Sequence, residues 1–314
     1  MVRTRSEWLP IFSLILAMVL WASSFVALKL AIRSYDPFFV IFGRMLVASF
    51  CFLFFIRRFR SNTYQKGDLK YILFMALCEP CFYFIFEAKA MQNTTASQAG
   101  MVAAMLPLMV AVGARIFLKE IITKKTFSGF VIAIMGVGLL SFAGEPVKDA
   151  PNPLLGNSLE FMAMVFAAGY TVTLKRLSAR YQPLLLTALQ AFIGTLFFLP
   201  CMLLSPSGLP TRFDTVPALS IVYLGIFITL AAYGLYNYGV SRIPANQATA
   251  FVNLIPVFTI ILGWAILGEM FTGLQYVAAA LVFLGVFVSQ EKREQQPVIF
   301  SPEIAPAQAR NTIR

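Results

Sequence analysis

The sequence predicts an all-α membrane protein whose ten transmembrane helices form two inverted five-helix repeats. Three observations lead to this fold class. Hydrophobic residues make up 59% of the chain and charged residues only 12%, with a mean hydropathy of +0.77, whereas an ordinary soluble domain carries about twice that charge. Ten apolar stretches each approach the roughly 20 residues that a helix needs to cross a bilayer. The last five stretches also repeat features of the first five.

The ten apolar stretches are separated by short polar connections. We place them at residues 10–31, 37–56, 70–91, 95–118, 126–143, 154–177, 183–204, 217–240, 245–267 and 272–290. The first five make up a predicted repeat over residues 1–146, and the last five a second repeat over residues 147–290. Residues 291–314 form the longest polar segment and are predicted to be a cytoplasmic tail.

The repeat appears when the sequence is compared with itself. At a shift of 146 residues Lys29, Tyr35 and Pro37 fall on Lys175, Tyr181 and Pro183. At a shift of 149 residues nine more positions match, namely Ala96, Gln98, Ala99, Pro107, Leu118, Glu120, Thr123, Gly136 and Val137 with Ala245, Gln247, Ala248, Pro256, Leu267, Glu269, Thr272, Gly285 and Val286. Because five is an odd number, the second copy enters the membrane from the opposite face. Such inverted repeats are typical of transporters, since one central site can then open to either side.

The basic residues lie mainly on one predicted face of the membrane. Of 25 Lys and Arg residues, 19 fall on the side of the termini, 5 fall on the other side, and Arg44 lies within the second stretch. Cytoplasmic loops carry such an excess, so both termini are predicted to be cytoplasmic. The net charge of +11 is therefore assigned to orientation and to contact with anionic lipid headgroups. No nucleic-acid partner is expected.

Several kinds of catalytic chemistry are missing from the sequence. It contains no histidine, which removes the usual general base and the usual metal ligand, and no Walker A loop or glycine-rich dinucleotide turn. Cys78 and Cys81 have the spacing of a metal or redox motif, but two further ligands are lacking, and buried cysteines are commonly small apolar packing residues. We therefore expect no enzyme, no cofactor and no metal site.

Glu79 is the strongest single candidate for a functional residue. It lies near the middle of the third stretch, where an ionised carboxylate costs at least a few kcal/mol unless it is paired or hydrated. Pro80 removes a backbone hydrogen bond beside it, which predicts a kinked helix facing a cavity, and Tyr83 continues the same face. Glu79 is interpreted as a contact for a substrate amine or as a proton-carrying carboxylate. The alternative is a protonated side chain that hydrogen-bonds a neighbouring helix.

The eighth stretch offers polar and aromatic residues on roughly one helical face. They are Thr229, Tyr233, Tyr236 and Asn237. Polar groups at this depth need partners in the bundle or in water, which favours a cavity wall. Aromatic side chains also fill cores and interfaces, and for any single tyrosine this alternative is the stronger one.

The fourth and ninth stretches are predicted to be hinged. Gln98 and Gln247 open these two stretches, and Pro107 and Pro256 lie near their middles. A proline breaks or bends a helix, and mirror-related hinges suit alternating access. The alternative is that the repeats merely retain their kinks.

Three further sets of charged residues have structural and functional interpretations. Lys29 and Lys175 are predicted either to reach lipid headgroups or to act as gates. Arg44 and Glu87 lie at similar depth, which predicts a structural ion pair. Capping and loop anchoring are the expected roles of the mirror-related acids Glu120 and Glu269.

The motifs resemble those of the drug/metabolite transporter superfamily and, within it, of the EamA-type ten-span carriers. The segment Trp21-Ala22-Ser23-Ser24-Phe25 is similar to the W-G-S-x-F segment of that family, with Ala22 in place of the usual Gly. Pro37 and Arg44 resemble its second span. Each half also has a small-residue patch, a mid-helix proline and a terminal glutamate: Ala96, Ala99, Pro107 and Glu120, then Ala245, Ala248, Pro256 and Glu269. Lys119 replaces Gly in the first L-G-E motif.

The resemblance implies a bacterial inner-membrane carrier, often an exporter of amino acids or related metabolites. It also implies a central cavity walled by the first four helices of each half, with the fifth and tenth packed behind. Carried over to this sequence, the substrate-binding residues are Trp21, Ser24, Glu79, Tyr83, Gln98, Tyr170, Tyr233, Asn237 and Gln247. The hinge or gating residues are Pro80, Pro107, Pro256, Lys29 and Lys175.

We therefore expect a secondary transporter that works by alternating access on a small-molecule substrate in the lipid bilayer. An exporter of amino acids, with aromatic or hydrophobic ones as the first choice, is the leading hypothesis. The alternative is a proton-coupled exporter of drugs or other cations in which Glu79 switches between proton and substrate. An intramembrane enzyme or a sensor is the hypothesis from another class.

Overall fold

The computed structural model describes residues 5–55, 65–118, 123–206 and 209–289. Within these ranges the chain is almost entirely helical, and one isolated β-bridge joins Val147 and Ala150 in the connection between the fifth and sixth stretches. The helices are α1 (Arg5–Ile32), α2 (Pro37–Leu53), α3 (Asp68–Ala76), α4 (Tyr83–Asn93), α5 (Ala96–Ala103), α6 (Leu106–Leu118), α7 (Lys124–Phe142), α8 (Pro153–Leu177), α9 (Pro183–Leu203), α10 (Thr215–Tyr223), α11 (Tyr233–Arg242), α12 (Ala245–Ala250), α13 (Leu254–Leu262) and α14 (Gly273–Ser289).

Each of the ten predicted stretches is helical over most of its length. Among the described residues, seven helical segments are long and apolar enough to cross a membrane: Trp8–Ile32, Asp68–Asn93, Ala96–Gly113, Lys124–Phe142, Pro183–Leu203, Thr215–Arg242 and Gln247–Leu267. α2 and α14 are apolar but have only 17 residues each. α8 has 25 residues, but polar side chains such as Asn157 and Glu160 interrupt its apolar sequence. The count of ten spans therefore stays a prediction.

The outer surface of the helices carries large apolar side chains. Phe50, Phe127, Leu196 and Phe287 are 61%, 63%, 72% and 75% exposed. In water, a broad apolar surface is an aggregation site, whereas in a bilayer it contacts lipid chains and the helices satisfy their own backbone hydrogen bonds. This surface fits a protein embedded in a membrane.

The third stretch is broken at Glu79, as the sequence predicts. α3 and α4 are joined by a wider, π-helical turn over Leu77–Phe82, in which Glu79 has an extended backbone (φ −148°, ψ 118°). The carbonyl of Glu79 accepts a hydrogen bond from Gln190 Nε2 of α9 at 2.9 Å. A π-helical turn also widens the related eighth stretch over Leu224–Ala232. Such turns are frequent at functional sites.

The fourth and ninth stretches are broken at related positions. α5 ends at Ala103, and α6 begins at Leu106 with Pro107 as its second residue. In the ninth stretch a tight 3₁₀ turn over Phe251–Asn253 separates α12 from α13, and Pro256 is the third residue of α13. Proline suits the first turn of a helix, because its missing N–H would have no partner there. The predicted breaks are present, and their use as hinges stays a prediction.

α7 and α14, the fifth and tenth stretches, pack directly against each other. A methyl group added to Gly129 would lie 2.4 Å from the carbonyl oxygen of Gly285, and one added to Gly285 would lie 2.4 Å from the amide nitrogen of Ala133. The two backbones therefore touch, which small residues allow in membrane bundles. These glycines therefore serve helix packing within one chain.

Contacts between the two halves occur in related pairs, in which the first and second halves exchange roles. The Tyr35 hydroxyl accepts a hydrogen bond from Asp214 N at 2.8 Å, and the Tyr181 hydroxyl donates one to Asp68 Oδ2 at 2.9 Å. A shift of 146 residues carries Tyr35 to Tyr181 and Asp68 to Asp214. The helix pairs follow the same rule, since α1 packs against α10 and α11 while α8 packs against α3 and α4.

Glu269 caps a helix of the other half. Its carboxylate accepts hydrogen bonds from Ala96 N and Ser97 N at 2.8 Å each, and from Ser97 Oγ at 2.6 Å. A negative charge is favourable at the N-terminus of a helix such as α5. The predicted capping role of Glu269 is confirmed, while Glu120 lies outside the described residues.

Candidate functional site

A cavity lies at the centre of the bundle, where the two halves meet. It is narrow, since the centre of a water-sized molecule can occupy only about 30 Å³ of it. Its wall is formed by Trp21, Ser24, Phe25, Arg44, Glu79, Tyr83, Phe84, Glu87, Ala103, Leu106, Met164, Ala167, Tyr170, Thr171, Ile228, Tyr233, Val252 and Ile255. Six residues predicted to bind substrate are among them, namely Trp21, Ser24, Glu79, Tyr83, Tyr170 and Tyr233.

Glu79 connects the two halves across this cavity. Its side chain is almost fully buried, and its Oε1 accepts a hydrogen bond from the Tyr233 hydroxyl of α11. Because the backbone is extended at Glu79, its carbonyl points away from the helix towards Gln190, as described above. Both the side chain and the backbone of Glu79 are thus held by residues of the second half.

Arg44 and Glu87 form the predicted ion pair beside Glu79. Arg44 Nη1 lies 3.8 Å from Glu87 Oε2, Arg44 Nε donates to Thr229 Oγ1 at 3.2 Å, and the guanidinium carbon lies 4.2 Å from the centre of the Phe84 ring. The Tyr83 hydroxyl donates to Glu87 Oε1 at 2.9 Å. Glu87 Oε2 is buried and has no hydrogen-bond partner among the described residues.

Four aromatic rings form one side of the site. Trp21 lies 5.1 Å from Tyr233 and 4.7 Å from Tyr236 between ring centres, and Tyr170 lies 6.3 Å and 6.4 Å from the same two tyrosines. These are ordinary distances for favourable ring pairs. The indole Nε1 of Trp21 is buried without a hydrogen-bond partner in the described part of the chain. The aromatic side therefore presents an unused donor.

Asn237 lies behind this aromatic side. Its Oδ1 accepts a hydrogen bond from the Tyr170 hydroxyl, and its Nδ2 donates to Thr187 Oγ1 at 2.8 Å. Asn237 is fully buried and does not line the cavity. In this arrangement it orients Tyr170, and its predicted contact with substrate would need the rings to move.

Gln98 and Gln247 are not brought to the cavity. Gln98 Oε1 accepts hydrogen bonds from Asn157 Nδ2 at 2.9 Å and from Thr94 Oγ1 at 3.3 Å, and Asn157 Nδ2 also donates to Ser141 Oγ at 3.1 Å. This buried network joins the ends of α4, α5, α7 and α8. Gln247 is exposed in the first turn of α12. The predicted substrate contact of these two residues has no support from their placement.

Lys29 and Lys175 hydrogen-bond backbone carbonyls. Lys29 is 3% exposed, and its Nζ donates to Met91 O at 2.6 Å, to Thr94 O at 2.7 Å and also to Asp149 O. Lys175 Nζ donates to Val240 O and Ile243 O at 2.7 Å each. The interpretation of Lys29 as a headgroup contact is wrong, because its ammonium is inside the bundle. A gating role for either lysine stays a prediction.

The sequence reasoning missed two residues of this region. Gln190 of α9 holds the carbonyl of Glu79, and Glu160 of α8 is fully buried with neither carboxyl oxygen hydrogen-bonded among the described residues. An intramembrane acid is itself a signal for function, so Glu160 was within reach of the sequence. Gln190 was not, because a polar amide at this depth has many structural uses.

The arrangement suits a small molecule that is both charged and apolar. Two glutamate side chains, the guanidinium of Arg44 and the indole of Trp21 line the same space as the tyrosine rings and Met164. Few polar groups placed among apolar ones are typical of small-molecule sites. Among the described residues, no group of three or more Cys, Asp or Glu side chains is placed to hold a metal ion.

Comparison with known families finds the same match in both halves of the chain. The EamA-like transporter family matches residues 8–142 and again residues 154–289. The two matched segments together cover most of the chain, and the break between them falls in the connection between α7 and α8.

Individual relatives agree with this family match. "Uncharacterized transporter YetK" of Bacillus subtilis (strain 168) is 29% identical over 307 residues, which are 96% of this chain and 91% of that protein. "Probable terminal-alkyne amino-acid exporter" of Streptantibioticus cattleyicolor is 25% identical over 278 residues, which are 88% of this chain and 92% of that protein. One solved crystal structure covers 91% of this chain and 97% of its own with a TM-score of 0.61 and 18% identity, which shows a shared fold alone.

Proposed function

Because this chain belongs to the EamA-like transporter family, we propose that it is a secondary carrier that exports amino acids or related small metabolites by alternating access. We place it in the cell (inner) membrane with ten spans and with both termini in the cytoplasm. The charge distribution supports this orientation, since 19 of the 25 basic residues fall on the predicted cytoplasmic side. A carrier that needs no nucleotide or cofactor also fits a chain of this composition.

The proposal includes an inverted relation between the two halves. It is supported by the exchanged contacts of Tyr35 with Asp214 and of Tyr181 with Asp68. A two-fold axis in the membrane plane would produce such reciprocal pairs. It would also relate the irregular turns of the third and eighth stretches and the breaks of the fourth and ninth. One conformation would then open the cavity inward, and the conformation in which the two halves exchange roles would open it outward.

The observation that carries the proposal is the meeting of opposite charges and aromatic rings in one central cavity. Glu79 offers a carboxylate for a substrate ammonium. Arg44 offers donors for a substrate carboxylate, together with Trp21 Nε1, which has no hydrogen-bond partner among the described residues. Tyr170 and Tyr233 provide apolar faces for the rest of the molecule. Amino acids with aromatic or large hydrophobic side chains combine these three properties.

A relative supports the substrate class. The Streptantibioticus cattleyicolor protein is named a probable exporter of terminal-alkyne amino acids, which are zwitterions with an apolar side chain. The aligned region covers almost the whole of both chains. We therefore rank amino acids above other metabolites as substrates.

Counterflow in proteoliposomes tests the proposal. Vesicles containing the purified protein are loaded with a mixture of unlabelled amino acids, and the entry of each labelled amino acid is followed without any imposed gradient. Saturable exchange of one amino-acid class is the expected result, and empty vesicles give the background. Well-folded protein that exchanges none of them would contradict the amino-acid proposal.

Export of drugs or other organic cations is the second candidate. It is favoured by the excess of acids in the cavity wall, where the two carboxyl groups of Glu79 and Glu87 accompany the guanidinium of Arg44. A cation would pair with a carboxylate and stack on Trp21 or the tyrosines. Counterflow with a labelled monovalent organic cation separates the two candidates, because the second predicts exchange of the cation and none of the amino acids.

A further inference from the structure

Glu160 is a buried acid at one end of the cavity. It lies on α8, it is 0% exposed, and neither of its carboxyl oxygens has a hydrogen-bond partner in the described part of the chain. Met164 and Ala167, which follow on the same face of α8, line the cavity. Glu160 therefore lies one turn before Met164, on the face of α8 that lines the cavity.

Glu87 faces this acid from the neighbouring helix. α4 and α8 pack against each other in opposite directions, with Gly156 against Thr94 near one end and Gly169 against Cys78 further along. This packing brings Glu160 to about the level of Glu87, where the two carboxyl groups can interact electrostatically. Glu87 Oε1 is hydrogen-bonded by Tyr83, whereas Glu87 Oε2 has no hydrogen-bond partner among the described residues. The two side chains together therefore have three carboxyl oxygens without a hydrogen-bond partner among the described residues.

The charges around the pair do not balance. Arg44 on α2 is the cation beside Glu87, and Glu79 in the π-helical turn adds a third carboxyl group. The side chains that α5 and α7 place one turn nearer the start of α8, Gln98 and Ser141, are uncharged. With all three acids ionised, the group would carry two surplus negative charges inside a membrane, each at a cost of at least a few kcal/mol. Bound protons remove this surplus.

We propose that Glu87 and Glu160 form a proton-binding pair that couples transport to a proton gradient; the coupling, though not the proton binding, rests on the carrier function proposed above. The pair holds a proton while it is buried and releases it to water when the cavity opens, with Arg44 compensating the carboxylate that remains. Substrate and proton then bind to neighbouring but different side chains. Glu79 and Tyr233 bind the substrate, and Glu87 and Glu160 bind the proton.

A proton fits this pair better than a metal cation does. Metal cations of the size of sodium or calcium gather several oxygen ligands, and no group of three or more Cys, Asp or Glu able to hold a metal exists in the described residues. Two carboxyl groups suffice to bind a proton, since one then donates to the other or to a nearby acceptor.

The position of the pair suggests the side from which protons arrive. In the proposed topology Arg44, Glu87 and Glu160 lie in the outer halves of their helices. The counterparts of these residues in the repeat, Gln190, Tyr236 and Leu14, are uncharged. A site confined to the outer half receives protons from outside the cell, as proton-driven export requires.

Infrared titration of the purified full-length protein tests proton binding without any substrate. In the wild type, and in the Glu145→Gln control that removes an exposed acid, the C=O stretching band of buried protonated carboxyls should weaken as the pH rises. In Glu160→Gln and in Glu87→Gln the part of this band that changes with pH should be lost. In Glu160→Asp it should remain, at a shifted frequency. An unchanged titrating band in both Gln variants would overturn the proposal.

Transport in proteoliposomes tests the coupling. Glu160→Gln should exchange labelled amino acids in counterflow as the wild type does, but should lose the accumulation that an imposed pH gradient drives. Retained gradient-driven accumulation, or loss of counterflow as well, would overturn the coupling role. If the wild type itself shows no counterflow, the carrier proposal fails, while the infrared titration still decides whether the pair binds a proton.

Discussion

Lys175 repeats in the second half of the chain the hydrogen bonds that Lys29 makes in the first. Lys29 Nζ donates to the carbonyls of Met91 and Thr94, and Lys175 Nζ to those of Val240 and Ile243. A shift of 149 residues carries the first pair of carbonyls onto the second. Each ammonium therefore caps the C-terminal end of a corresponding helix, α4 or α11, where a positive charge is favourable.

We expect Lys29→Met to destabilise the protein by about 2 kcal/mol, because buried carbonyls lose a charged donor. Thermal unfolding in detergent, followed by the loss of monodisperse protein, measures the change. Lys89→Met is the matched control, since Lys89 is exposed on α4 and should have almost no effect. Normal stability of Lys29→Met combined with lost transport would contradict the capping role and support a gate.

Removal of Arg44 should leave Glu87 buried without its cation. We expect Arg44→Gln to destabilise the protein by about 3–5 kcal/mol, the usual range for breaking a buried pair. The additional change Glu87→Gln should restore part of this loss, because it removes the uncompensated carboxylate. A double-mutant cycle of unfolding free energies measures the interaction, and additive effects of the two changes would show that Arg44 and Glu87 do not interact.

Glu79→Gln should weaken substrate binding while it preserves the fold. The amide oxygen of Gln still accepts the hydrogen bond of Tyr233, but the charge that would pair with a substrate ammonium is gone. Loss of a charge-assisted hydrogen bond of about 1.5–3 kcal/mol predicts a roughly tenfold to hundredfold increase in KM for amino-acid exchange. Concentration-dependent counterflow measures KM with Glu145→Gln as control, and an unchanged KM would remove Glu79 from the binding site.

The contact of α7 with α14 predicts a contrast between two glycines on one helix. A methyl group on Gly136 would lie 2.7 Å from the amide nitrogen of Val282, whereas one on Gly138 meets nothing within 4 Å. Gly136→Ala should therefore cost about 1–3 kcal/mol of stability, and Gly138→Ala should cost almost nothing. Thermal unfolding of both variants is the measurement, and equal stability would mean that the two helices separate easily.

Much of the fold follows from apolar length and from the repeat. The helices occupy the predicted stretches because a helix satisfies its backbone hydrogen bonds within one segment, as a bilayer without water requires. Pro80, Pro107 and Pro256 lie where the chain breaks, since proline cannot continue a helical hydrogen-bond ladder. Glu79 and the Arg44–Glu87 pair were also predictable, because buried charges need partners.

Other features depend on which helices become neighbours. Gln98 opens its stretch like its counterpart Gln247, yet it joins a network with Thr94, Asn157 and Ser141 while Gln247 is exposed. Lys29 lies near a predicted membrane face, and the sequence favoured contact with headgroups. Its buried carbonyl partners come from residues 62, 65 and 120 positions away, and nothing local in the sequence identifies them.

The sequence by itself determined that this is a helical membrane protein of a transporter family, with two related halves and a polar residue in the middle of an apolar helix. Those properties follow from the composition, from the lengths of the apolar stretches and from the internal repeat, all of which can be read directly from the sequence. The tertiary structure decided that Tyr233 donates a hydrogen bond to Glu79, that Glu160 lies on a helix packed against the helix of Glu87, and that Asn237 accepts a hydrogen bond from Tyr170. Such pairs join distant parts of the chain, and only the packing of one helix against another brings them together.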